Sequence, residues 1–270
     1  QSGGMAFANF DNDFATIFAQ MGVEFEKIAG LFSASIRSLI LFCNNIHTRM
    51  GQTSYYLTFN IGLADNEFAR FLASTLIDEF YKTGELVYKP NIVFKIHKGI
   101  SRNNGDANFD LLEKALLCTA KKMIPTYLLC DCEADRAVEP SKLSIMGCRT
   151  RVMANVVDED KAITPGRGNL SFTSINLPRL GIKHGIVRND KTDMKGFYEE
   201  LGELMDLVKD QLLERFEIQC NKRLYNFPFL LGQGVWIDSD KLKPNDRLRK
   251  VLKHGTLSIG FIGLAECLKA

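Results

Sequence analysis

The chain has 270 residues, of which 46% are hydrophobic and 24% charged, a balance typical of a globular protein with a sizeable buried core. Its 34 basic and 32 acidic residues give a net charge of +2 without a long run of one sign, so charge indicates neither nucleic acid nor an anionic membrane as partner. No apolar run predicts a membrane span and no leader sequence is recognisable, so we expect a soluble protein of the cytoplasm.

Helical and strand patterns alternate along the chain. Apolar residues from Phe14 to Phe32 recur at spacings of three and four, which predicts a helix, in one or two pieces, that continues to about Ile46. The segment YYLTFNI at 55–61 alternates apolar and polar residues, which predicts a half-buried strand. Beyond it we predict helices at 65–83, 108–123, 193–219 and just before Gly255, and strands at 91–97, 126–131, 170–177 and 256–262.

This alternation predicts an α/β fold with a largely parallel sheet and helices outside it. An open doubly wound sheet is the default for such a pattern, but no glycine-rich phosphate fingerprint follows any predicted strand. We therefore expect a barrel or part of one. No repeat, linker or low-complexity tract marks a domain boundary, so residues 1–270 are expected to form a single segment of one domain.

Few residue patterns point to chemistry. The sequence has no nucleophile elbow and no Walker loop, and its four histidines stand far apart, so hydrolase, kinase and metal-site interpretations have no support. Seven cysteines at irregular spacing predict reduced thiols instead of a disulfide framework. Cys130 and Cys132 are the one close pair, for which a redox pair and simple burial at a strand end are both open.

Two asparagines stand at the ends of the predicted strand 170–177. Asn176 would lie near the carboxyl end of a parallel strand, where ligands bind in α/β folds, and Asn169 would lie at the opposite end. Carboxamides donate and accept hydrogen bonds, which suits a sugar hydroxyl or a phosphate. The alternative is that both side chains only satisfy nearby backbone groups.

The segment SIMGCRTRV contains a lone cysteine, Cys148, between a glycine and an arginine. Gly147 allows a tight turn that could present the thiol to a cavity, and Arg149 and Arg151 would favour a thiolate or a bound anion. A nucleophilic thiolate needs a base that the sequence does not indicate, whereas a one-electron thiol needs none. A small buried hydrophobe is the third interpretation.

Three segments, in this order and spacing, resemble the catalytic subunit of the anaerobic, class III ribonucleotide reductases, which are glycyl radical enzymes. They are MGCRTRV (146–152), GRGNLSFTSINLPRL (166–180) and GTLSIGFIGLAECL (255–268). Weaker similarity extends over nearly the whole chain. The resemblance implies a ten-stranded α/β barrel in which a central loop carries the active-site cysteine.

The resemblance also implies an activity and its residues. Cys148 matches the cysteine that abstracts hydrogen from C3′ of a ribonucleoside triphosphate, which is then reduced to the 2′-deoxyribonucleotide. Asn169 and Asn176 fall in the strand that lines the substrate, with Ser171 and Thr173 as weaker candidates. The partners that the resemblance implies are ribonucleoside triphosphates, a radical S-adenosylmethionine activating protein and a second copy of the parent chain.

The resemblance places other parts of the family's machinery outside these residues. The radical glycine and a four-cysteine zinc site belong to a C-terminal region, and the ATP-cone domain and a second barrel cysteine lie upstream. We therefore expect a central fragment that binds no metal or cofactor and is inactive alone. The alternatives are a nucleotide-binding or structural module without turnover, or another glycyl radical enzyme such as a formate-lyase relative, whose paired cysteines do not match Gly147 and Cys148.

Overall fold

The computed structural model describes residues 4–48, 53–54, 56–135, 138–147, 150–152, 155–187 and 190–270. The chain divides into two compact units, Gln1–Pro165 and Gly166–Ala270. Cys148, the main candidate of the sequence analysis, lies outside the described residues together with Arg149. The segments on both sides of it are described.

The first unit contains a parallel sheet and the helices that connect its strands. Its strands are β1 (Met5–Phe7), β2 (His47–Thr48), β3 (Thr53–Ser54), β4 (Leu57–Ile61), β5 (Asn91–Ile96), β6 (Thr126–Leu129), β7 (Ile145–Met146) and β8 (Thr150–Arg151), and its helices are α1 (Phe10–Gln20), α2 (Phe25–Asn45), α3 (Glu67–Lys82) and α4 (Phe109–Lys122). Among the described residues β1, β4, β5 and β6 form a sheet in that order, and every pair is parallel. The predicted α/β class with a parallel sheet is confirmed.

The helices of this unit cover one face of the sheet. Phe59 and Ile61 of β4 and Ile92 and Phe94 of β5 lie in a core cluster together with apolar residues of all four helices. Phe10 and Phe14, one helical turn apart on α1, stack on this core, and the ring centroids of Phe10 and Phe59 are 4.5 Å apart. Burial of this apolar face is the main stabilising term of the unit.

The opposite face of the sheet is buried as well. Thr58 and Asn60 of β4, and Val93 and Lys95 of β5, are at most 1% exposed. The predicted alternation of β4 is confirmed, but the prediction that its polar side is solvated is wrong. Residues 143–145 pack on this face, since Leu143 and Ile145 join Val93, Leu128 and Cys130 in a second apolar cluster.

The helix α2 includes a stretch, Lys27–Asn45, that is long and apolar enough to cross a membrane by length and composition, although the sequence analysis expected no such run. Phe32, Ile36 and Ile40 form a buried stripe along this helix, at spacings of four, and they belong to the core of the first unit. One face of the helix is therefore buried in the core, whereas Leu31 and Phe42 on its other side are exposed.

The second unit is built on two strands. Its elements are β9 (Asn169–Asn176), α5 (Leu177–His184), α6 (Met194–Cys220), α7 (Arg249–Leu252), β10 (Thr256–Ile262) and α8 (Leu264–Lys269). Strands β9 and β10 are parallel, with Thr173 opposite Ile259. Ile175 and Leu180 pack against Val208 and Leu212 of α6, so this long helix covers one face of the strand pair.

Sequence prediction missed helix α5 and the short strands β1, β2, β3, β7 and β8, for physical reasons. β1 is only three residues long and has no alternating pattern to detect. Helix α5 begins at Leu177, where the sequence analysis continued the strand, because the Asn176 side chain caps the helix and Pro178 fits its first turn. The predicted strand 170–177 is therefore observed as 169–176, and α5 follows it directly.

Candidate active site

Two short antiparallel strands flank Cys148. In the β7–β8 pair Ile145 lies opposite Arg151 and Met146 opposite Thr150, and residues 147–149 connect the two strands. Gly147 has φ +63°, in the left-handed region that side chains other than glycine rarely adopt. The prediction that this glycine supplies a tight turn before Cys148 is confirmed.

An ion pair holds the second of these strands. The Asp135 carboxylate is fully buried, and its Oδ2 accepts a hydrogen bond of 2.5 Å from Arg151 Nη1. The same oxygen lies 3.2 Å from Cys132 Sγ, whereas Oδ1 of Asp135 has no partner among the described residues. Because a carboxylate already binds Arg151, that arginine contributes less to binding an anion near Cys148 than the sequence suggested.

Lys95 and Asp11 are two of the buried ionisable groups of the first unit. Lys95 lies on the face of β5 opposite the helices, and Asp11 lies on α1. Burial lowers the pKa of Lys95 to about 8, and its Nζ donates to Asn9 Oδ1 at 2.8 Å. Burial raises the pKa of Asp11 to about 6, against the opposing effect of hydrogen bonds from the amides of Gly62 and Asn12. Sequence reasoning missed both groups, although a lysine inside the strand NIVFKI was a signal.

The cysteine pair of the sequence analysis divides between two environments. Cys130 is buried, and burial raises the pKa of its thiol to about 11, so it stays protonated at neutral pH. Its Sγ lies 3.7 Å from the Leu128 carbonyl oxygen, whereas Cys132 contacts Asp135. Both are free thiols, and their separate partners favour burial over a redox pair.

The two candidate asparagines of β9 differ in their contacts. Asn176 Oδ1 accepts the Arg179 amide at 3.2 Å and caps α5, which is the backbone-satisfying role left open above. Asn169 Oδ1 is buried and has no hydrogen-bond partner in the described part of the chain. An unpaired buried acceptor is costly, so Asn169 is the stronger candidate for contacting a ligand.

The other two candidates of β9 bond to helix α6. Thr173 Oγ1 donates to Gln211 Oε1 at 3.0 Å, and Arg215 Nη1 donates to Ser171 Oγ at 3.3 Å. Side chains alternate along a strand, so Ser171 and Thr173 share the face that packs on α6. Phe172 and Ser174 lie on the other face and are exposed.

Histidines and carboxylates do not assemble into a metal site in the described ranges. No group of three or more His, Cys, Asp or Glu side chains there could hold a metal ion. His184 bridges carboxylates at the start of α6, with Nε2 at 2.7 Å from Glu200 and Nδ1 at 3.5 Å from Asp193. His254 is buried, 3.6 Å from Asp238.

Sequence comparison decides the relationship of the chain. The pattern of the family described as anaerobic ribonucleoside-triphosphate reductase matches residues 1–270. The chain belongs to this family. The similarity to anaerobic ribonucleotide reductases inferred from three motifs is thereby confirmed.

Individual reductases of the family are similar over most of the chain. The anaerobic ribonucleoside-triphosphate reductase of Haemophilus influenzae is 29% identical over 242 residues, which are 87% of this chain and 32% of that protein. The Escherichia coli reductase is 28% identical over the same shares, and that of phage T4 is 26% identical over 83% of this chain and 37% of its own length. The chain thus spans about a third of the curated reductases that it matches.

Proposed function

We propose that this chain is a central segment of an enzyme that reduces ribonucleoside triphosphates to 2′-deoxyribonucleoside triphosphates by radical chemistry under anaerobic conditions. The observation that carries the proposal is the family match over all 270 residues. The names of the similar bacterial and phage proteins agree with it. We expect the cytoplasm as its location.

In this proposal Cys148 is the hydrogen-abstracting residue. As a thiyl radical it takes a hydrogen atom from C3′ of the ribose, so an S–H bond forms and the radical moves to the sugar. The 2′-hydroxyl then leaves as water after protonation, and formate or a dithiol supplies the two reducing electrons. Cys148 finally returns the hydrogen atom to C3′, which breaks the S–H bond and restores the thiyl radical. The turn at Gly147 and the strands on both sides of Cys148 support a role that needs a presented thiol.

Substrate contacts are proposed for β9. Asn169 ranks first because its buried Oδ1 has no partner among the described residues, so a sugar hydroxyl could donate to it. Asn176 is proposed with its Nδ2 as the available group, since its Oδ1 caps α5. Ser171 and Thr173 remain weaker candidates because both bond to α6.

The parent fold is proposed to be the ten-stranded α/β barrel of the family, with the cysteine loop at its centre. Parallel sheets are normally buried on both faces, yet β9 and β10 form an isolated parallel pair in the described residues and expose Phe172 and Ile262. Such a pair requires further covering structure. In the first unit, residues 143–145 already occupy the face of the sheet opposite the helices.

The remaining parts of the machinery are proposed to come from outside these 270 residues. A radical on a glycine would supply the oxidant for Cys148, and these 270 residues contain no RVxGY-type motif. The activating protein, the zinc site, the ATP-binding cone and a second copy of the parent chain belong to the same proposal. Residues 1–270 alone are therefore expected to make no deoxynucleotide.

The test is a cysteine substitution in the full-length parent protein. After anaerobic activation, Cys148→Ser is expected to keep the glycyl signal in electron paramagnetic resonance and to make no deoxynucleotide, because serine cannot relay the hydrogen atom. Cys132→Ser is the matched control, since a hydroxyl preserves the contact with Asp135 and turnover should stay near wild type.

The outcomes separate the alternatives. Turnover by Cys148→Ser would refute the radical role of Cys148. A parent protein that binds ribonucleoside triphosphates but never converts them would favour a binding or structural module. Conversion of a different substrate, with the glycyl signal present, would favour another glycyl radical enzyme.

A further inference from the structure

We propose that Thr58, Asn60 and Asn91 are positioning residues that hold the main chain of residues 145–147, directly before Cys148. The three side chains lie on β4 and β5, on the face of the sheet opposite the helices. Their effect on turnover rests on the proposed function, whereas their effect on the main chain does not.

The Asn60 carboxamide hydrogen-bonds to both backbone polar groups of Ile145 in β7, as the main chain of a neighbouring strand would. Its Oδ1 accepts the Ile145 amide at 2.9 Å, and its Nδ2 donates to the Ile145 carbonyl at 3.0 Å. The same Nδ2 donates to the Phe7 carbonyl at 2.9 Å, so the side chain joins β1 to β7. Asn60 is fully buried, and these bonds satisfy its carboxamide.

Thr58 and Asn91 bind the residue immediately before Cys148. The Gly147 amide donates to Thr58 Oγ1 at 3.1 Å, and Asn91 Nδ2 donates to the Gly147 carbonyl at 2.8 Å. Thr58 and Asn91 are direct neighbours in the β4–β5 register, which explains why both reach one residue. Both polar groups of Gly147 are thereby fixed by side chains.

The row of polar contacts continues toward the start of this segment. Asn9 Nδ2 donates to the Ser141 carbonyl at 3.0 Å, and Lys95 Nζ lies 3.5 Å from the Pro140 carbonyl. Within the described ranges, strand β7 pairs with β8 and not with the strands of the sheet. Side chains of the sheet therefore replace the backbone pairing that would otherwise hold this segment.

Stability alone does not require such residues at these positions. Apolar side chains would fill the inner face of a buried parallel strand without the desolvation cost of burying carboxamides and a hydroxyl. Polar groups that bond to one main-chain segment add directional control of that segment. Hydrogen transfer depends on sub-ångström placement of the reacting atoms, so a displaced Gly147 is expected to slow turnover at Cys148.

The experiment compares Thr58→Val, Thr58→Ser, Asn60→Ala and the control Asn108→Ala in the full-length parent protein. Asn108 is a matched asparagine because it is fully buried and its Nδ2 donates to two carbonyls, of Gly62 at 3.0 Å and Ala64 at 2.9 Å, away from this segment. Hydrogen exchange followed by mass spectrometry reports on the amides of Ile145 and Gly147, and steady-state kinetics reports on turnover.

The expected result is local and selective. Thr58→Val and Asn60→Ala should raise amide exchange in the peptide that contains 145–147 about tenfold or more, and lower kcat about tenfold to a hundredfold with KM unchanged. Thr58→Ser keeps the hydroxyl and should restore both values. Asn108→Ala should lower the free energy of unfolding about as much as Asn60→Ala does. Amide exchange at 145–147 and kcat should nevertheless stay within about twofold of wild type.

Two results would overturn the inference. Wild-type exchange at 145–147 in both Thr58→Val and Asn60→Ala would show that these side chains do not hold the main chain. If Cys148→Ser abolishes turnover, raised exchange with unchanged kcat in Thr58→Val and Asn60→Ala would show that holding the main chain at 145–147 does not affect catalysis. Activity in Cys148→Ser would instead refute the proposed function, and the exchange data alone would then decide whether the main chain is held.

Discussion

The two units bury the faces of their parallel strands differently. In the first unit both faces of β4 and β5 are buried, one against helices and the other against residues 143–145, and the polar groups Thr58 and Asn60 find partners there. In the second unit α6 covers one face of β9–β10, while Phe172 and Ser174 on the other face stay exposed and Asn169 Oδ1 stays unpaired in the described part of the chain.

Unpartnered groups on a strand indicate where further structure or a ligand is expected to bind. A polar group on a buried strand needs a partner, and in the first unit the polypeptide itself provides it. In the described part of the second unit, the Asn169 acceptor is buried without a partner, and the apolar ring of Phe172 has no covering layer. We therefore expect the β9–β10 face, and not the β4–β5 face, to gain the larger buried area in the complete protein.

The largest predicted effect compares two phenylalanines, each on a parallel strand. Phe59 is 1% exposed in the core of the first unit, whereas Phe172 is 66% exposed. Phe59→Ala should lower the free energy of unfolding by about 3–5 kcal/mol, and Phe172→Ala should change it by less than about 0.5 kcal/mol in this chain. Chemical denaturation of the purified chain measures both. Equal losses would contradict the difference between the units.

The substitution of Phe172 should have a larger effect in the full-length protein. If additional structure covers the β9–β10 face there, Phe172→Ala should become destabilising by about 2 kcal/mol or more. A loss that stays below about 0.5 kcal/mol in the full-length protein would show that this face remains open to solvent.

The buried carboxyl group of Asp11 should make the stability of the first unit depend on pH. Burial raises the pKa of Asp11 from 3.8 to about 6, so the folded protein binds this proton more tightly than the unfolded chain. The resulting stabilisation is complete below about pH 4 and is lost as the pH rises through about 6. Between about pH 4 and about pH 7 the wild type should lose about 2 kcal/mol more unfolding free energy than Asp11→Asn, whose side chain cannot ionise.

Denaturation of both proteins at the two pH values checks this prediction. The comparison uses the difference between pH values for each protein, so any hydrogen bond that the substitution removes at both pH values cancels. Parallel pH dependence of the two proteins would show that Asp11 titrates in the folded state as it does in the unfolded chain.

The two asparagines of β9 should separate catalysis from stability. Asn169→Ala in the full-length protein should cost about 1–3 kcal/mol in kcat/KM with little change in melting temperature, since its acceptor is unpaired in the described residues. Asn176→Ala should remove the cap of α5 and cost about 1 kcal/mol of stability. Steady-state kinetics and thermal melting measure the two effects. A stability loss in Asn169→Ala together with a kcat/KM loss in Asn176→Ala would contradict these roles.

The smallest effect is expected for the weaker candidates. Thr173→Val removes an exposed hydrogen bond to Gln211 on α6 and should change stability by less than about 1 kcal/mol. If Thr173 does not touch the substrate, kcat/KM in the full-length protein should stay within about twofold of wild type. A loss of about tenfold or more in kcat/KM would indicate that Thr173 contacts the substrate.

Long periodic segments made most of the fold predictable from sequence. The alternation in 57–61 and the spacing of apolar residues in α3 and α4 located these elements to within a few residues. Strand β10 was predicted with its observed bounds. Short elements were missed, because β1 has three residues and the start of α5 depends on a cap that a strand pattern conceals.

The candidate site was less predictable, because its contacts join residues distant in sequence. The motif around Cys148 identified the cysteine, but nothing local links it to Asn60, which contacts residue 145 across 85 positions. The polar residues in YYLTFNI suggested a solvated side, and only the packing of 143–145 shows why they are buried. Likewise, the contrast between Asn169 and Asn176 depends on where the strand ends.

The most direct test of the role of Cys148 is a structure of the full-length protein with a ribonucleoside triphosphate bound under anaerobic conditions. We predict Cys148 Sγ within about 3–4 Å of C3′ of the ribose, as hydrogen transfer requires, with Gly147 still bound to Thr58 and Asn91 and with Asn169 Oδ1 within hydrogen-bond distance of the ligand. A ribose bound elsewhere in the complete enzyme, with Cys148 buried away from it, would contradict both the proposed role of this cysteine and the assignment of β9 to the substrate site.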